Sequence, residues 1–390
     1  MIEEIRRHLL ESPESYNDDD VRTLIEHYVL KEGGDLPFDA YPKLVQRTYV
    51  KLRSKLGLLE LFVDNAEINE IMINGPDTIF LETKDGIRRV DDVFDSVEEL
   101  EEVIRNIAAS VHREINELHP ILDARLPDGS RVHGVYKNIA AGGPILTIRK
   151  FSQNRITMED LIANDSISRA CAEDLCRYVR AGYNVFVSGG TSSGKTTFLN
   201  ALSEYIPSHE RVILIEDSRE LQLGHIDNLV QMECHQANSL GKGEVSMDML
   251  IRASLRMRPD RIIVGEVRGR EVADMLQAMN TGHDGSMSTG HGNSAEGMLR
   301  RLEAMYLMGV DLPMDAIRAQ IVEGIDMLVH LGRTDTGRRR VLEVQELVGF
   351  QDGRYLLNPL YHLDEKQQLA ATGNPLHNTW KLRWRGVGKS

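Results

Sequence analysis

Long apolar runs are missing from this sequence. Nowhere do about 20 apolar residues, the length of a membrane-crossing helix, occur in succession. The opening stretch, MIEEIRRHLLESPES, is mixed in charge and lacks the apolar centre of a signal peptide, so the expected location is the cytoplasm. Cysteine is scarce. The three present, Cys171, Cys176 and Cys234, form no C-x-x-C pair, which excludes a disulfide framework and fits buried thiols in a reducing compartment. The neighbours Cys234-His235 lack the second ligand pair that a metal site needs. Positive charge is in deficit. The net charge of −14 makes the chain as a whole a poor binder of polyanions, and no nucleic-acid partner is expected. Internal repeats and low-complexity tracts are absent, and no Asn-Lys-x-Asp motif for guanine occurs.

What remains is an ordinary folded composition, with 41% apolar and 27% charged residues in 390 positions, enough for about two or three domains. Residues 1–58 form an N-terminal helical segment, with apolar residues at helical spacing in Val21 to Lys31 and Tyr41 to Leu56. Residues 59–150 change character. INEIMING, TIFLE, ILDARL, SRVHGVY and ILTIRK read as strands bounded by turn signals, and one helix spans Val97 to His112. That is a small α+β domain. A linker is expected over 151–160. From 161 to 390, helices and strands alternate before the chain turns strand-rich beyond 325, with Asp352-Gly353 as a hairpin turn. This alternation predicts a mainly parallel sheet flanked by helices. The last twenty residues carry no clear pattern.

GGTSSGKT, Gly189 to Thr196, fits G-x-x-x-x-G-K-[ST] and stands after the strand YNVFVS and before a helix, where its mechanism requires it. Successive backbone N–H groups converge on phosphates only if some residues take unusual dihedrals, which glycine does at little cost. The helix that follows adds its N-terminal partial charge. The candidate nucleotide-binding residues are Gly189, Gly190, Thr191, Ser192, Ser193, Gly194, Lys195, Thr196 and Thr197. Lys195 is placed to reach the β- and γ-phosphates and Thr196 to bind Mg2+ of an ATP complex.

Three further stretches carry acids or histidines. ILIEDSREL ends a strand in Glu216 and Asp217, at the end of a sheet that faces the ligand crevice in α/β folds. Taken alone, such acids merely solvate a loop. RPDRIIVGEVRG reads as a strand over Arg261 to Val264, followed at its end by Gly265-Glu266. Glycine stands there where a nucleotide-hydrolysing fold usually has the aspartate that serves the metal. TGHDGSMSTGHGNS holds two Gly-His pairs, His283 and His291, in a glycine-rich segment after helix Glu271 to Asn280.

In this order, GGTSSGKTT, LIEDSRELQL, MRPDRIIVGEVRG and the segment Gly282 to Ser294 resemble the P-loop, acidic box, Walker B box and histidine box of the secretion (traffic) ATPases. These serve type II secretion, type IV pili and conjugation. The resemblance is strongest to the ATPases of Tad/Flp pilus assembly, and it extends upstream through NEIMINGP and REINELHPILDARLPDGSRVHG, over roughly residues 60 to 350. It implies an α/β fold, with a RecA-like P-loop ATPase domain preceded by a small α+β (PAS-like) domain. It also implies a hexameric ring on an inner-membrane platform, peripheral to the membrane through protein partners. In this family Gly-Glu is the normal Walker B ending, so the resemblance makes Glu266 the residue that positions the attacking water. Glu216 would share magnesium or water duties, and His291 would sense the γ-phosphate, with His283 at the earlier histidine position.

Arg131 and Arg149 match the arginines that the small domain supplies to the nucleotide, with Arg113 and Arg125 as lesser candidates and Arg268 as a sensor of the neighbouring subunit. Two departures from the family pattern carry expectations. Ser192 stands where glycine is frequent, so it must adopt the local dihedral. Gly290 and Gly292 flank His291 and should loosen it. Two other readings stay open: a hexameric nucleic-acid translocase or conjugation ATPase, and a P-loop small-molecule kinase.

Overall fold

The structure, a computed structural model, describes residues 2–11, 16–32, 37, 40–83, 85–151, 155–235, 242–334, 337–364 and 367–387. The chain divides into two compact units, Met1–Gln153 and Asn154–Ser390.

The first unit opens with helices α1 (Ile2–Glu11), α2 (Asp18–Glu32) and α3 (Ala40–Arg53). They close a small apolar cluster of their own around Ile5, Val21, Ile25 and Val29. Three aspartates, Asp18, Asp19 and Asp20, open α2, where the helix dipole favours negative charge. After the short α4 (Glu60–Val63) come β1 (Ile68–Asn74), β2 (Ile79–Thr83) and β3 (Gly86–Val90). Helix α5 (Val97–Ser110) follows, then β4 (Ile121–Arg125), β5 (Arg131–Val135) and β6 (Ile145–Arg149). The sheet order is β3-β2-β1-β6-β5-β4, with every neighbouring pair antiparallel. Ile71, Ile73, Leu146 and Ile148 face a core shared with Ile104 and Ile107 of α5, as the two-residue strand period dictates. β3 has no apolar alternation to betray it. Its sequence is GIRRV, four of its five residues are exposed, and it is held only as an edge strand on β2.

The second unit begins with α6 (Met158–Ala163) and α7 (Arg169–Arg180). The expected linker over 151–160 lies partly outside the described residues. Then come β7 (Val185–Gly189), α8 (Lys195–Ser203), β8 (Val212–Glu216), β9 (Leu229–Glu233) and α9 (Met247–Ser254). They are followed by β10 (Arg261–Val267), α10 (Glu271–Asn280), β11 (Met287–His291), α11 (Ala295–Leu307) and α12 (Met314–Gly324). Strands β12 (Met327–Arg333), β13 (Arg339–Gln351), β14 (Arg354–Leu363) and β15 (Leu369–Ala371) lead to α13 (Trp380–Trp384).

The nine strands lie in the order β15-β14-β13-β12-β7-β11-β10-β8-β9. From β12 to β9 the pairs are parallel, and the extension through β13, β14 and β15 is antiparallel. Two apolar clusters line this sheet, one including Val185, Val187 and Leu199, the other Phe186, Ile215 and Met298. Alternate residues of β7 therefore feed opposite faces, as expected of a strand buried on both sides. The Asp352-Gly353 turn joins β13 to β14 with both residues in the left-handed region, φ 51° and 79°.

The C-terminal stretch that lacked a sequence pattern is anchored by buried charge. Lys381 Nζ lies 2.7 Å from Asp326 Oδ2 and 2.8 Å from Asp284 Oδ1. Arg385 pairs with Glu210, which also pairs with the fully buried Arg261.

Candidate active site

The phosphate loop, residues 190–194, joins an all-buried strand, VFVSG of β7, to a helix that starts at Lys195. Gly189 fits where no other residue would, since a Cβ there would lie 2.5 Å from the Leu331 carbonyl oxygen. Gly194 takes φ 94°, and Ser192 takes φ 56°, the unusual dihedral required of it. Lys195 is nearly buried, and its Nζ donates to the carbonyls of Gly189 (3.2 Å) and Gly190 (3.0 Å). Burial lowers its pKa, with the Glu266 carboxylate pulling the other way. Ser193 Oγ is buried without a hydrogen-bond partner. A cradle of N–H groups with a spare hydroxyl and a lysine folded onto its rim fits a polyphosphate.

Parallel register brings the other boxes here. His291 pairs with Gly189 across β11 and β7, and Gly290 pairs with Val267 across β11 and β10. His291 Nδ1 stands 3.3 Å from Lys195 Nζ and His291 Nε2 stands 2.8 Å from Glu266 Oε1. Burial pushes the imidazole pKa down; the Glu266 charge opposes this, while Lys195, Arg268 and Arg301 reinforce it. The imidazole therefore stays neutral near pH 7, able to accept from the lysine. Glu266 lies inside β10, which runs to Val267, and not past the strand end as the sequence suggested. Its Oε2 accepts from Arg268 Nε (3.1 Å) and Nη2 (2.7 Å). Its Oε1 is buried and faces His291 Nε2 at 2.8 Å. Such an oxygen, desolvated beside a phosphate cradle, is suited to hold a water. Glu216 is buried at the end of β8, and its Oε1 accepts from the backbone N–H groups of Glu220 (2.9 Å) and Leu221 (3.0 Å).

A family model described as type II/IV secretion system protein matches residues 53–346. The chain belongs to this family of secretion ATPases. It is 32% identical to the conjugal transfer protein TrbB of Rhizobium radiobacter, over 85% of this chain and 98% of that one. It is 33% identical to the type IV secretion system protein PtlH of Bordetella pertussis, over 74% and 93% respectively. Its fold is similar to the Legionella pneumophila ATPase DotB, with a TM-score of 0.53 at 20% identity, covering 76% of this chain and 81% of that one.

Not every expected residue of this secretion ATPase joins the cluster. His283 precedes β11, at the end of that strand remote from the phosphate loop, and its Nδ1 lies 3.0 Å from the Ala278 carbonyl at the end of α10. The structure gives it a helix-capping position. Gly290 and Gly292 have a packing role beside His291. A Cβ on Gly290 would lie 2.8 Å from Met298 Cε and one on Gly292 3.1 Å from Met298 Cβ, so these glycines admit α11 against the sheet. Arg268 is paired with Glu266 and lies 3.8 Å from Asp217.

In the first unit of the secretion ATPase, Arg125, Arg131 and Arg149 stand directly opposite one another on β4, β5 and β6. Glu70 follows on β1 and Glu82 on β2. All three cysteines are free, Cys171 and Cys176 buried and Cys234 half-buried. Among the described residues, no group of three or more His, Cys, Asp or Glu side chains could hold a metal by itself, and no helix is long and apolar enough to cross a membrane.

Two site neighbours had no local signal in the sequence. His330 on β12 sits 2.9 Å from Ser188 Oγ, and Arg333 at the end of β12 donates to the Ser192 carbonyl. Both come from about 140 residues downstream of the P-loop and become visible only when β12 is placed beside β7.

Proposed function

We propose that this chain is a ring-forming motor that hydrolyses ATP at the Lys195–His291–Glu266 cluster and drives an inner-membrane platform that assembles a pilus or moves a secreted substrate. The carrying observation is the buried Glu266 Oε1 facing His291 Nε2 at 2.8 Å, with His291 Nδ1 3.3 Å from the lysine of the phosphate cradle. In this reading Glu266 positions the attacking water, and neutral His291 couples the state of Lys195 to that carboxylate. Thr196 and Glu216 would hold the magnesium ion, which when bound would neutralise phosphate charge. Since Glu216 already accepts two backbone N–H groups, its main duty is to fix the loop 217–221. Arg131 and Arg149 would stabilise the phosphoryl transition state in a hexamer. The protein would work in the cytoplasm, held at the membrane by protein partners. Within the family, the motif wording supports the Tad/Flp pilus-assembly branch.

The test is Glu266→Gln, which keeps size but removes charge. ATP affinity should persist while turnover falls about 100-fold, the scale of losing a positioned acid–base group. Normal turnover in that variant would falsify the role given to Glu266.

A second reading, a conjugation ATPase, is favoured by the likeness to TrbB. If the chain grips nucleic acid itself, DNA should stimulate hydrolysis with a steep salt dependence. The net charge of −14 argues for indirect contact instead.

A further inference from the structure

One strand, β12, touches the phosphate loop at three successive places. His330 meets Ser188 at 2.9 Å, the Leu331 carbonyl fills the space a Gly189 side chain would need, and Arg333 reaches Ser192. The Arg333 contact is the unusual one. Its Nε (3.3 Å) and Nη2 (3.2 Å) both donate to the Ser192 carbonyl. Ser192 is the one non-glycine residue of the loop with positive φ, 56°. A side chain in that region costs about 1–2 kcal/mol. Left alone, Ser192 would favour a right-handed or extended backbone, which would swing its carbonyl and break the turn in which the Ser193 N–H donates to the Gly190 carbonyl.

Arg333 pairs across β12 and β13 with Arg339, whose Cδ lies 3.6 Å from where a Gly194 Cβ would be. Among the described residues neither arginine makes an ion pair with a carboxylate. Like charges opposed across two strands are unfavourable unless something else uses them.

We infer that Arg333 is a positioning residue for nucleotide binding: its guanidinium holds the Ser192 peptide in the left-handed conformation and so keeps the phosphate-binding N–H groups aimed inward. This deepens the ATP reading and rests on it. Arg333 acts on the loop before any nucleotide arrives, so its effect belongs in affinity, for ADP and ATP alike, and not in the chemical step.

A double-mutant cycle tests this, with ATP and ADP affinities measured by direct titration and turnover measured alongside. Arg333→Ala should weaken both nucleotides by about fivefold, the scale of one or two modest hydrogen bonds, with kcat within about twofold. In a Ser192→Gly background, where the left-handed conformation needs no support, the same substitution should cost less than about twofold. Arg333→Lys, which keeps the charge but loses the fork, should fall between wild type and alanine.

An equal affinity loss in both backgrounds overturns the inference and makes Arg333 a direct phosphate contact. A fall in kcat at unchanged affinity overturns it in favour of a transition-state role. Unchanged affinity and turnover leave Arg333 a surface cation. Failure of the wild-type protein to bind ATP at all defeats the parent reading instead, so the two failures are distinguishable. Circular dichroism of the Arg333 variants should match wild type, since Arg333 is exposed.

Discussion

Gly265 of β10 and Glu216 of β8 share one space: a Cβ built on Gly265 would lie 3.0 Å from Glu216 Cγ and 3.6 Å from its Oε1. The two strands are parallel neighbours, with Val264 paired to Ile215, so the next residue of each comes side by side. The space that a side chain at the usual aspartate position would take is therefore occupied by the Glu216 side chain of the adjacent strand.

Gly265→Ala should displace Glu216 from the Glu220 and Leu221 N–H groups. Overpacking at a buried site costs about 1–3 kcal/mol. We expect a melting temperature a few degrees lower and turnover down by about tenfold or more, because the loop after β8 loses its anchor. Gly265→Asp should do no better. If the aspartate variant hydrolyses ATP as well as wild type, the shared-space account is wrong.

Lys195→Ala should abolish hydrolysis and weaken ATP binding, since it takes a fixed charge from the β- and γ-phosphates. It should also raise the His291 pKa, because the lysine charge 3.3 Å away is one of the influences holding it down. Imidazole proton shifts followed by NMR against pH would show this. An unmoved His291 titration would disconnect the two groups.

The pKa of His330 is lowered, chiefly by burial. Its unfolded value is about 6.5. As pH falls, the unfolded chain takes up the proton first while the folded chain resists it. The stability from neutral His330 is thus complete above pH about 6.5 and declines below it. His225 and His291 are lowered too and add to the same trend. Melting temperatures measured from pH 8 to 5 should fall toward acid, and His330→Gln should flatten part of that slope. A steeper slope in the variant, or greater stability in acid, counts against this assignment.

Arg149 faces Arg131 on one side and Glu70 on the other. Arg149→Ala relieves repulsion with Arg131 and loses attraction to Glu70, so stability should stay within about 0.5 kcal/mol. If the row serves the nucleotide, turnover should nevertheless fall by about tenfold or more. Mixing active subunits with Lys195→Ala subunits should then lower activity non-linearly. Strict proportionality to the active fraction would mean that the subunits work alone.

The sequence by itself determined what is local. The strand–glycine–helix signature placed the P-loop between Gly189 and Lys195, the helix read over Glu271 to Asn280 is α10, and the turn-bounded runs INEIMING, SRVHGVY and ILTIRK are β1, β5 and β6. Such patterns need only a few neighbouring residues, because each reports which side of its own element meets the core. They fail where an element has no buried alternation, as in the exposed GIRRV of β3, or where glycine and an acid interrupt an apolar run, as at Gly265-Glu266 inside β10.

Only the tertiary structure decided which side chains meet. The strand order β12-β7-β11-β10-β8 puts Arg333 on Ser192, His291 between Lys195 and Glu266, and Glu216 in the space of Gly265, and it leaves His283 at the other end of the sheet. The physical reason is that parallel strands are joined by long crossovers, so their neighbours are chosen by packing over the whole domain. No short window of sequence contains that choice.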